Sequence, residues 1–323
     1  MTCDYCELRC PLETGDGVCG RYYYDADQIL EAQPFHFLEP GISEIEGVPF
    51  FHVVPGQYAL QTGTKGCNAG CDYCINAHVA IEQSDKALNQ YTPDNLIAMA
   101  EARQASAIVF AINEVTMYLP SAIEVAKAAH RAGLLVGCLT NGFQTEEAAL
   151  ELATHMDMIN VSLKSMSDKF YQKSLQLRSV QPVLRNIGIF SKHAYVEIIT
   201  PVAQEIGMDE LGEMTDFISS IDPLIPWHLF RLYRTHQRSE ESGRDWAEII
   251  GFTETVRERL PYTYFSNFPG SKWVDTLCPS CGHRVVRRVS IGACGAQYVE
   301  NELTAEDTCP KCGHVIPIVR PQQ

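Results

Sequence analysis

Tyr58-Ala59-Leu60-Gln61-Thr62-Gly63-Thr64-Lys65-Gly66-Cys67-Asn68-Ala69-Gly70-Cys71-Asp72-Tyr73-Cys74 is the stretch from which the rest of the chain is read. Residues 58–61 read as a first strand, and they run into a loop that carries three cysteines within eight residues. The end of a first strand is where a parallel α/β barrel builds its active site. Gly66 and Gly70 give that loop room to turn. Three thiolates so close together can take one face of a four-iron cubane and leave one iron open, and an open position lets a metal bind a substrate as well as hold a fold. The competing reading is a zinc knuckle that borrows a fourth ligand such as His78, although structural zinc ordinarily pairs two short knuckles. Gly63-Thr64-Lys65-Gly66 lacks the Gly-Lys-Ser/Thr order of a phosphate-binding loop.

Outward from this loop the texture alternates between apolar strands and amphipathic helices. Thr92-Pro93-Asp94 supplies an N-cap and a proline at the first helical position, predicting a helix over 92–105. AIVFAI at 107–112 is wholly apolar, as expected of a parallel strand covered on both faces. Strands over 134–139, 158–163, 195–200 and 227–233 lead into helices over 145–155, between 168 and 192, over 208–220 and over 244–260. Six strand–helix units at βαβ spacing predict an α/β chain folded as a partial, TIM-like (β/α)6 barrel over residues 56–268. Residues 1–55 are irregular and cysteine-rich, and 269–323 read as a separate small module.

Composition narrows the class. The 323 residues are 46% apolar and 20% charged, ordinary for a chain with a full core, and the net charge is −15. So acidic a chain is poorly suited to phosphate backbones or anionic lipid, so neither nucleic acid nor membrane is an expected partner. No apolar run reaches 18 residues, and Met1-Thr2-Cys3-Asp4-Tyr5-Cys6 has neither the basic head nor the apolar run of a signal peptide. A cytoplasmic location is expected, where the thirteen cysteines read as metal ligands before disulfides. Cys278-Pro279-Ser280-Cys281-Gly282-His283 and Cys309-Pro310-Lys311-Cys312-Gly313-His314 are two knuckles that can face each other around one tetrahedral ion, zinc first and iron second, in a zinc-ribbon-like module. Cys3, Cys6, Cys10 and Cys19 suggest another bound metal. Zinc and an auxiliary iron–sulfur cluster both fit the count, with zinc slightly preferred. Cys138, alone in an apolar strand, reads as an inert buried thiol.

The C-x3-C-x2-C loop with Tyr73 before its last cysteine resembles the radical S-adenosylmethionine (SAM) superfamily. His52-x-x-Pro55-Gly56, Asn113-Glu114-Val115-Thr116, Thr140-Asn141-Gly142, Ser162-Leu163-Lys164, Ile225-Pro226-Trp227-His228 and Asn267-x-Pro269-Gly270 narrow the similarity. Together they are similar to the radical SAM member of the AmmeMemoRadiSam group, relatives of the pyruvate formate-lyase activating enzyme. The resemblance implies a 4Fe–4S cluster on Cys67, Cys71 and Cys74, with SAM chelating the fourth iron. It places Tyr73 over the adenine, Asn113 and Glu114 at the methionyl amine, and Thr140 and Asn141 on the ribose side. Lys164 would face the methionyl carboxylate, and His228 would reach the nucleoside. It further implies an oxygen-sensitive oxidoreductase that cleaves SAM reductively to a 5′-deoxyadenosyl radical and abstracts hydrogen from a substrate. The partners implied are a protein substrate, such as a glycine of a partner enzyme, and an electron donor such as flavodoxin or ferredoxin.

Each of these residues also has a structural reading. Glu114 can cap the following helix, Thr140-Asn141-Gly142 is a turn by composition, Lys164 can be solvated, and His228 beside Trp227 can be a satisfied core histidine. Where glycyl-radical activating enzymes carry two aspartates, this chain has Leu139 and Ser162. Modification of a small molecule or another macromolecule is the alternative activity. A non-catalytic iron–sulfur electron carrier or zinc scaffold is the alternative of another class.

Overall fold

The computed structural model of the chain describes residues 1–13, 17–81, 87–240 and 243–321. Its centre is one sheet built from β1 (Gly41–Glu44), β2 (Tyr58–Thr62), β3 (Ala105–Phe110), β4 (Leu135–Thr140), β5 (Met158–Ser162), β6 (Tyr195–Val202), β7 (Trp227–Arg231) and β8 (Thr263–Phe265). The strands lie side by side in chain order, β8-β7-β6-β5-β4-β3-β2-β1. All neighbours from β2 to β8 pair in parallel, and β1 pairs antiparallel to β2, with Gly41 opposite Gln61. Six helices follow the strands: α1 (Pro93–Ala102), α2 (Leu119–Arg131), α3 (Glu146–His155), α4 (Gln181–His193), α5 (Met208–Ile221) and α6 (Trp246–Val256). The result is the expected open, mostly parallel barrel with β1 and β8 as its edges.

Local chemistry explains the elements. Ile108, Val109 and Phe110 of β3 are fully buried, as a strand covered on both faces requires. Thr92 caps α1 by accepting from Asn95 N at 3.2 Å, while Asn95 Oδ1 accepts from Thr92 N at 3.1 Å. This reciprocal capping box starts the helix where the sequence places it.

Three features depart from the expectation. The sheet has a seventh parallel strand, β8, whose three residues are too few to show a pattern. The boundary expected at residue 56 is crossed by the sheet, because β1 comes from the N-terminal segment. Helix α2 was not anticipated, although its signal is present: exposed Glu124, Lys127, His130 and Arg131 recur at helical spacing opposite a buried, alanine-rich face of Leu119, Ser121, Ala122, Ile123, Val125, Ala126, Ala128 and Ala129.

The C-terminal residues form a three-stranded antiparallel sheet, β9 (Thr276–Leu277), β10 (Arg284–Val289) and β11 (Gln297–Asn301). They do not stand apart. Val274, Cys278, Val285 and Val286 share a buried cluster with Phe51, Tyr262 and Tyr264. Val319 N donates to His52 O at 2.8 Å and Val54 N to Val319 O at 3.0 Å, tying the chain end to the N-terminal segment.

At this junction His52 is completely buried. Its Nδ1 meets Pro317 O at 2.9 Å and its Nε2 meets the Tyr264 hydroxyl at 2.7 Å. A carbonyl partner requires the proton on Nδ1, so the hydroxyl donates to Nε2 and the ring is neutral. Burial lowers its pKa from 6.5 to about 4. The unfolded chain therefore binds a proton that the folded chain refuses as pH falls from about 6.5 to about 4. Stability contributed by neutral His52 is present above that window and lost through it, on the order of 3 kcal/mol. Urea melts at pH 7 and pH 4.5 are expected to show this loss in the parent and a shallower one in His52→Gln. Equal slopes would contradict the assignment.

Candidate functional site

The C-terminal ends of β2–β7 surround a cavity of about 410 Å³, within the range of small-molecule sites. Cys67, Cys71 and Cys74 line it together with Tyr73, Asn113, Glu114, Thr140, Asn141 and Lys164. Leu139 and Ser162 also line it, so neither position brings a carboxylate to the cavity.

The cysteine loop is held from several sides. Gly63 packs so close to the chain after β3 that a Cβ would lie 2.2 Å from Ala111 O. Asn113 Oδ1 accepts from Thr64 N at 2.9 Å and its Nδ2 donates to Gly66 O at 2.8 Å, bridging the loop's entry. Gly70 N donates to Leu175 O and Asp72 N to Ser174 O, so the loop rests on the turn of π-helix Tyr171–Leu175. A Cβ on Gly70 would meet Gln176 Cδ at 2.6 Å, which explains the glycine between the first two cysteines. Arg238 grips Asp72 with Nε and Nη2 at 2.9 and 3.0 Å and reaches Glu205 at 3.0 Å and Ser174 Oγ at 2.7 Å.

Glu114 is the hub beside the loop. Its Oε1 accepts from Thr116 N, Thr116 Oγ1, Thr140 Oγ1 and Gln144 Nε2 at 2.7–3.2 Å, and its Oε2 accepts from Asn141 N at 2.7 Å. Asn141 Nδ2 then lies 2.6 Å from Asn68 Oδ1 and 3.8 Å from Cys67 Sγ. Opposite this hub, Lys164 Nζ stands 5.6 Å from the centre of the Tyr73 ring, with Arg238 on the same ring at 5.5 Å. Among the described residues Lys164 forms no ion pair.

A family model described as the Radical SAM superfamily matches residues 62–218, from the end of β2 into α5. The barrel belongs to the radical SAM superfamily. The chain is also 24% identical over 327 residues to the uncharacterized protein MJ0808 of Methanocaldococcus jannaschii, covering 99% of this chain and 96% of that one. The structure of Streptococcus suis SuiB bound to S-adenosylmethionine is similar at a TM-score of 0.50 and 13% identity, over 61% of this chain and 46% of SuiB. Another SuiB structure gives a TM-score of 0.50 at 12% identity, over 62% of this chain and 46% of SuiB. The chain thus spans less than half the length of SuiB, and at this identity the likeness shows the fold.

Radical SAM membership implies a 4Fe–4S cluster and SAM, and the residues present fit both. Among the described residues, only Cys278, Cys281, Cys309 and Cys312 bring their ligand atoms within 4.8 Å of one another. The three loop thiols are thus spread more widely than one tetrahedral ion needs, as a multi-iron core requires. His78, the candidate fourth ligand of a zinc knuckle, is exposed and outside the cavity lining. Burial pushes all three thiols above their usual range; Glu114 adds to the rise at Cys67, and Lys164 opposes it at Cys71 and Cys74. Ligation must therefore displace protons that burial otherwise retains.

The C-terminal knuckles face each other as their spacing predicts. Cys278 and Cys312 sulfurs are 3.5 Å apart, and Cys281 and Cys309 sulfurs 3.7 Å. Each knuckle turns through its glycine, with φ of +71° at Gly282 and +74° at Gly313. His283 is held by Glu302 at 3.0 Å and is not one of the grouped ligands. This four-thiol group could hold a metal ion. At the other end of the chain, Cys3, Cys6, Cys10 and Cys19 line one small cavity. Burial pushes Cys3 up to about 11 and Cys6 up to about 12.

His228 is a correction. It lies near the start of β7, away from the C-terminal strand ends where the cavity opens, and it is not among the lining residues. Its Nε2 meets Glu197 Oε2 and its Nδ1 meets Ser266 Oγ, both at 2.6 Å, in a completely buried network. Burial opposes ionisation of Glu197, but the hydrogen bond and charge of His228 outweigh it and lower the carboxyl's pKa. The histidine is a satisfied core residue.

Arg238, Asp72, Asn68 and Gln144 were not anticipated. Asp72 and Asn68 stand inside the cysteine motif, but their partners are distant in sequence, and only Gly70 hinted at a close approach there. Arg238→Ala leaves Asp72 without its bidentate partner at the cysteine loop. Breaking such a pair by removing one member costs up to about 3–5 kcal/mol when buried, and less here because Asp72 is partly exposed. The expected outcome is a lower iron content after reconstitution together with a lower melting temperature. Parental iron content would contradict the clamp.

Proposed function

We propose that this protein is a radical SAM oxidoreductase acting on a protein substrate, with an electron donor of the flavodoxin or ferredoxin type. The observation that carries the catalytic part is the cavity itself, where three thiols, a lysine and a carboxylate hub converge. Cys67, Cys71 and Cys74 would hold the 4Fe–4S cluster. When bound and reduced, that cluster supplies reductive cleavage of SAM and hydrogen abstraction from a substrate.

The chain's own groups bind and orient. Lys164, which has no carboxylate partner among the described residues, is the cation for the methionyl carboxylate. Glu114 Oε2 accepts a single hydrogen bond and so keeps capacity for the methionyl amine. Asn113 spends its amide on Thr64 and Gly66, so its part is to fix the loop. Thr140 and Asn141 fix Glu114 and Cys67 in the same manner. Tyr73, wedged between Phe170 and two cations, is an apolar wall of the nucleoside side. The C-terminal thiols would hold zinc as a structural clip.

A protein substrate is favoured by the motif similarity to activating enzymes. Anaerobic, reconstituted protein with dithionite and SAM should release 5′-deoxyadenosine. Supplied with lysate from deuterium-grown cells, it should carry deuterium into that product only when the macromolecular fraction is present. Transfer from the small-molecule filtrate alone would overturn the protein-substrate reading, and no 5′-deoxyadenosine at all would overturn the enzyme.

A further inference from the structure

The four N-terminal cysteines are not an outlying tail. Cys6 forms a β-bridge with Gln144, Glu7 N donates to Phe143 O at 3.1 Å, and the Tyr22 hydroxyl donates to Thr116 O at 2.6 Å. These partners follow β3 and β4, so the segment is packed onto the barrel mouth beside the radical SAM loop. Cys3, Cys6, Cys10 and Cys19 converge there on a void of about 10 Å³, room for one atom-sized guest. Cys3 N donates to Cys10 O at 2.8 Å, closing the loop that presents the first three thiols.

Asn68 lines the same void from the radical SAM loop. Its side chain is 5% exposed, and among the described residues its Nδ2 meets no nitrogen or oxygen acceptor, only the Cys6 thiol. A buried donor left with a neutral thiol is poorly satisfied, and one facing four thiols asks for a sulfur made anionic by a metal. Its other end is fully engaged, because Oδ1 accepts from Asn141 Nδ2 at 2.6 Å and stands 3.8 Å from Cys67 Sγ. On the same side, a Cβ on Gly66 would lie 3.5 Å from Cys19 O. One side chain therefore spans from the N-terminal thiols to the first cysteine of the radical SAM loop.

We propose that Cys3, Cys6, Cys10 and Cys19 hold a second, thiolate-bound metal centre, zinc or an iron–sulfur unit, and that Asn68 couples its occupancy to Cys67. The ligand chemistry is a thiophilic metal. The void has the size of a single ion, whereas the thiols are spread more widely than the C-terminal quartet, so the experiment separates zinc from iron with labile sulfide. Asn68 is a positioning residue that donates to a metal-bound sulfur on one side and orients Asn141 and Cys67 on the other. Hydrogen bonds to cluster sulfurs and their neighbours tune reduction potential.

The coupling rests on Cys67 being a cluster ligand, whereas the centre itself does not. The full-length triple variant Cys67→Ala/Cys71→Ala/Cys74→Ala, purified anaerobically, separates the two. Zinc, iron and labile sulfide analysis should find two metal centres in it. Adding Cys3→Ala/Cys19→Ala should remove one of them, as zinc or as iron with sulfide. A triple variant that holds only one centre overturns the proposal even if the N-terminal variant does not fold. In the otherwise intact chain, Asn68→Ala should keep the metal stoichiometry but shift the midpoint potential and electron paramagnetic resonance signal of the radical SAM cluster. Cys3→Ala/Cys19→Ala should shift both in the same direction. An unmoved signal and potential in both variants overturns the coupling.

Discussion

Replacing Cys71 by alanine is expected to reduce release of 5′-deoxyadenosine from SAM to background and to remove the iron of the radical SAM loop. A cubane held by three protein thiolates has no spare ligand. With Cys71 gone, two sulfurs remain on the loop, His78 is exposed and outside the cavity, and the other thiol lining the cavity, Cys294, comes from the turn between β10 and β11 and not from the loop. The Cys71 side chain is small and the loop is anchored through Asp72, Asn113 and Gly70, so the fold should persist. Circular dichroism and the C-terminal metal content are therefore expected to match the parent while iron and 5′-deoxyadenosine fall. A variant that cleaves SAM at the parental rate would show that Cys71 is not a cluster ligand.

Arg288→Ala should be the most destabilising substitution away from the metal centres. Arg288 and Glu46 are both completely buried, with Nε 3.3 Å from Oε1. The guanidinium also donates to Thr276 Oγ1 at 2.7 Å, to Val274 O at 3.3 Å and to Phe51 O. It therefore joins the C-terminal sheet to the segment before β2. Removing it leaves a buried carboxylate whose ionisation burial already disfavours, together with carbonyls and a hydroxyl deprived of a donor. Breaking a buried pair from one side costs about 3–5 kcal/mol. Urea unfolding should show a loss of that size, and the double variant Arg288→Met/Glu46→Gln should recover much of it. A loss below about 1 kcal/mol, the size of an ordinary substitution, would contradict the clamp.

The parallel strands β2 to β7 were legible because each carries a short, largely apolar run at βαβ spacing, and the site was legible because its ligands sit in one eight-residue loop. What stayed hidden is tertiary. Helix α2 has an exposed charged face at Glu124, Lys127 and Arg131, but its buried face is largely alanine and stands out weakly against the strands around it. β1 and β8 have four and three residues, too short for a periodicity. Glu114 was visible as a polar residue at a strand end, but its five donors come from Thr116, Thr140, Asn141 and Gln144, which no local pattern links to it. His228 shows the limit most plainly: the family resemblance implied a nucleoside contact, whereas its place near the start of β7 puts it in the core with Glu197. Arg238 is 166 residues from Asp72, so the clamp on the cysteine loop exists only in the folded chain.

The most direct test of the central claim is electron–nuclear double resonance on the reduced cluster with SAM carrying ¹⁵N at the methionyl amine and ¹⁷O at its carboxylate. Hyperfine coupling from both labels is expected, because three cysteines leave one iron for the substrate to chelate. A spectrum unchanged by either label, or a protein side chain found on that iron, would contradict it.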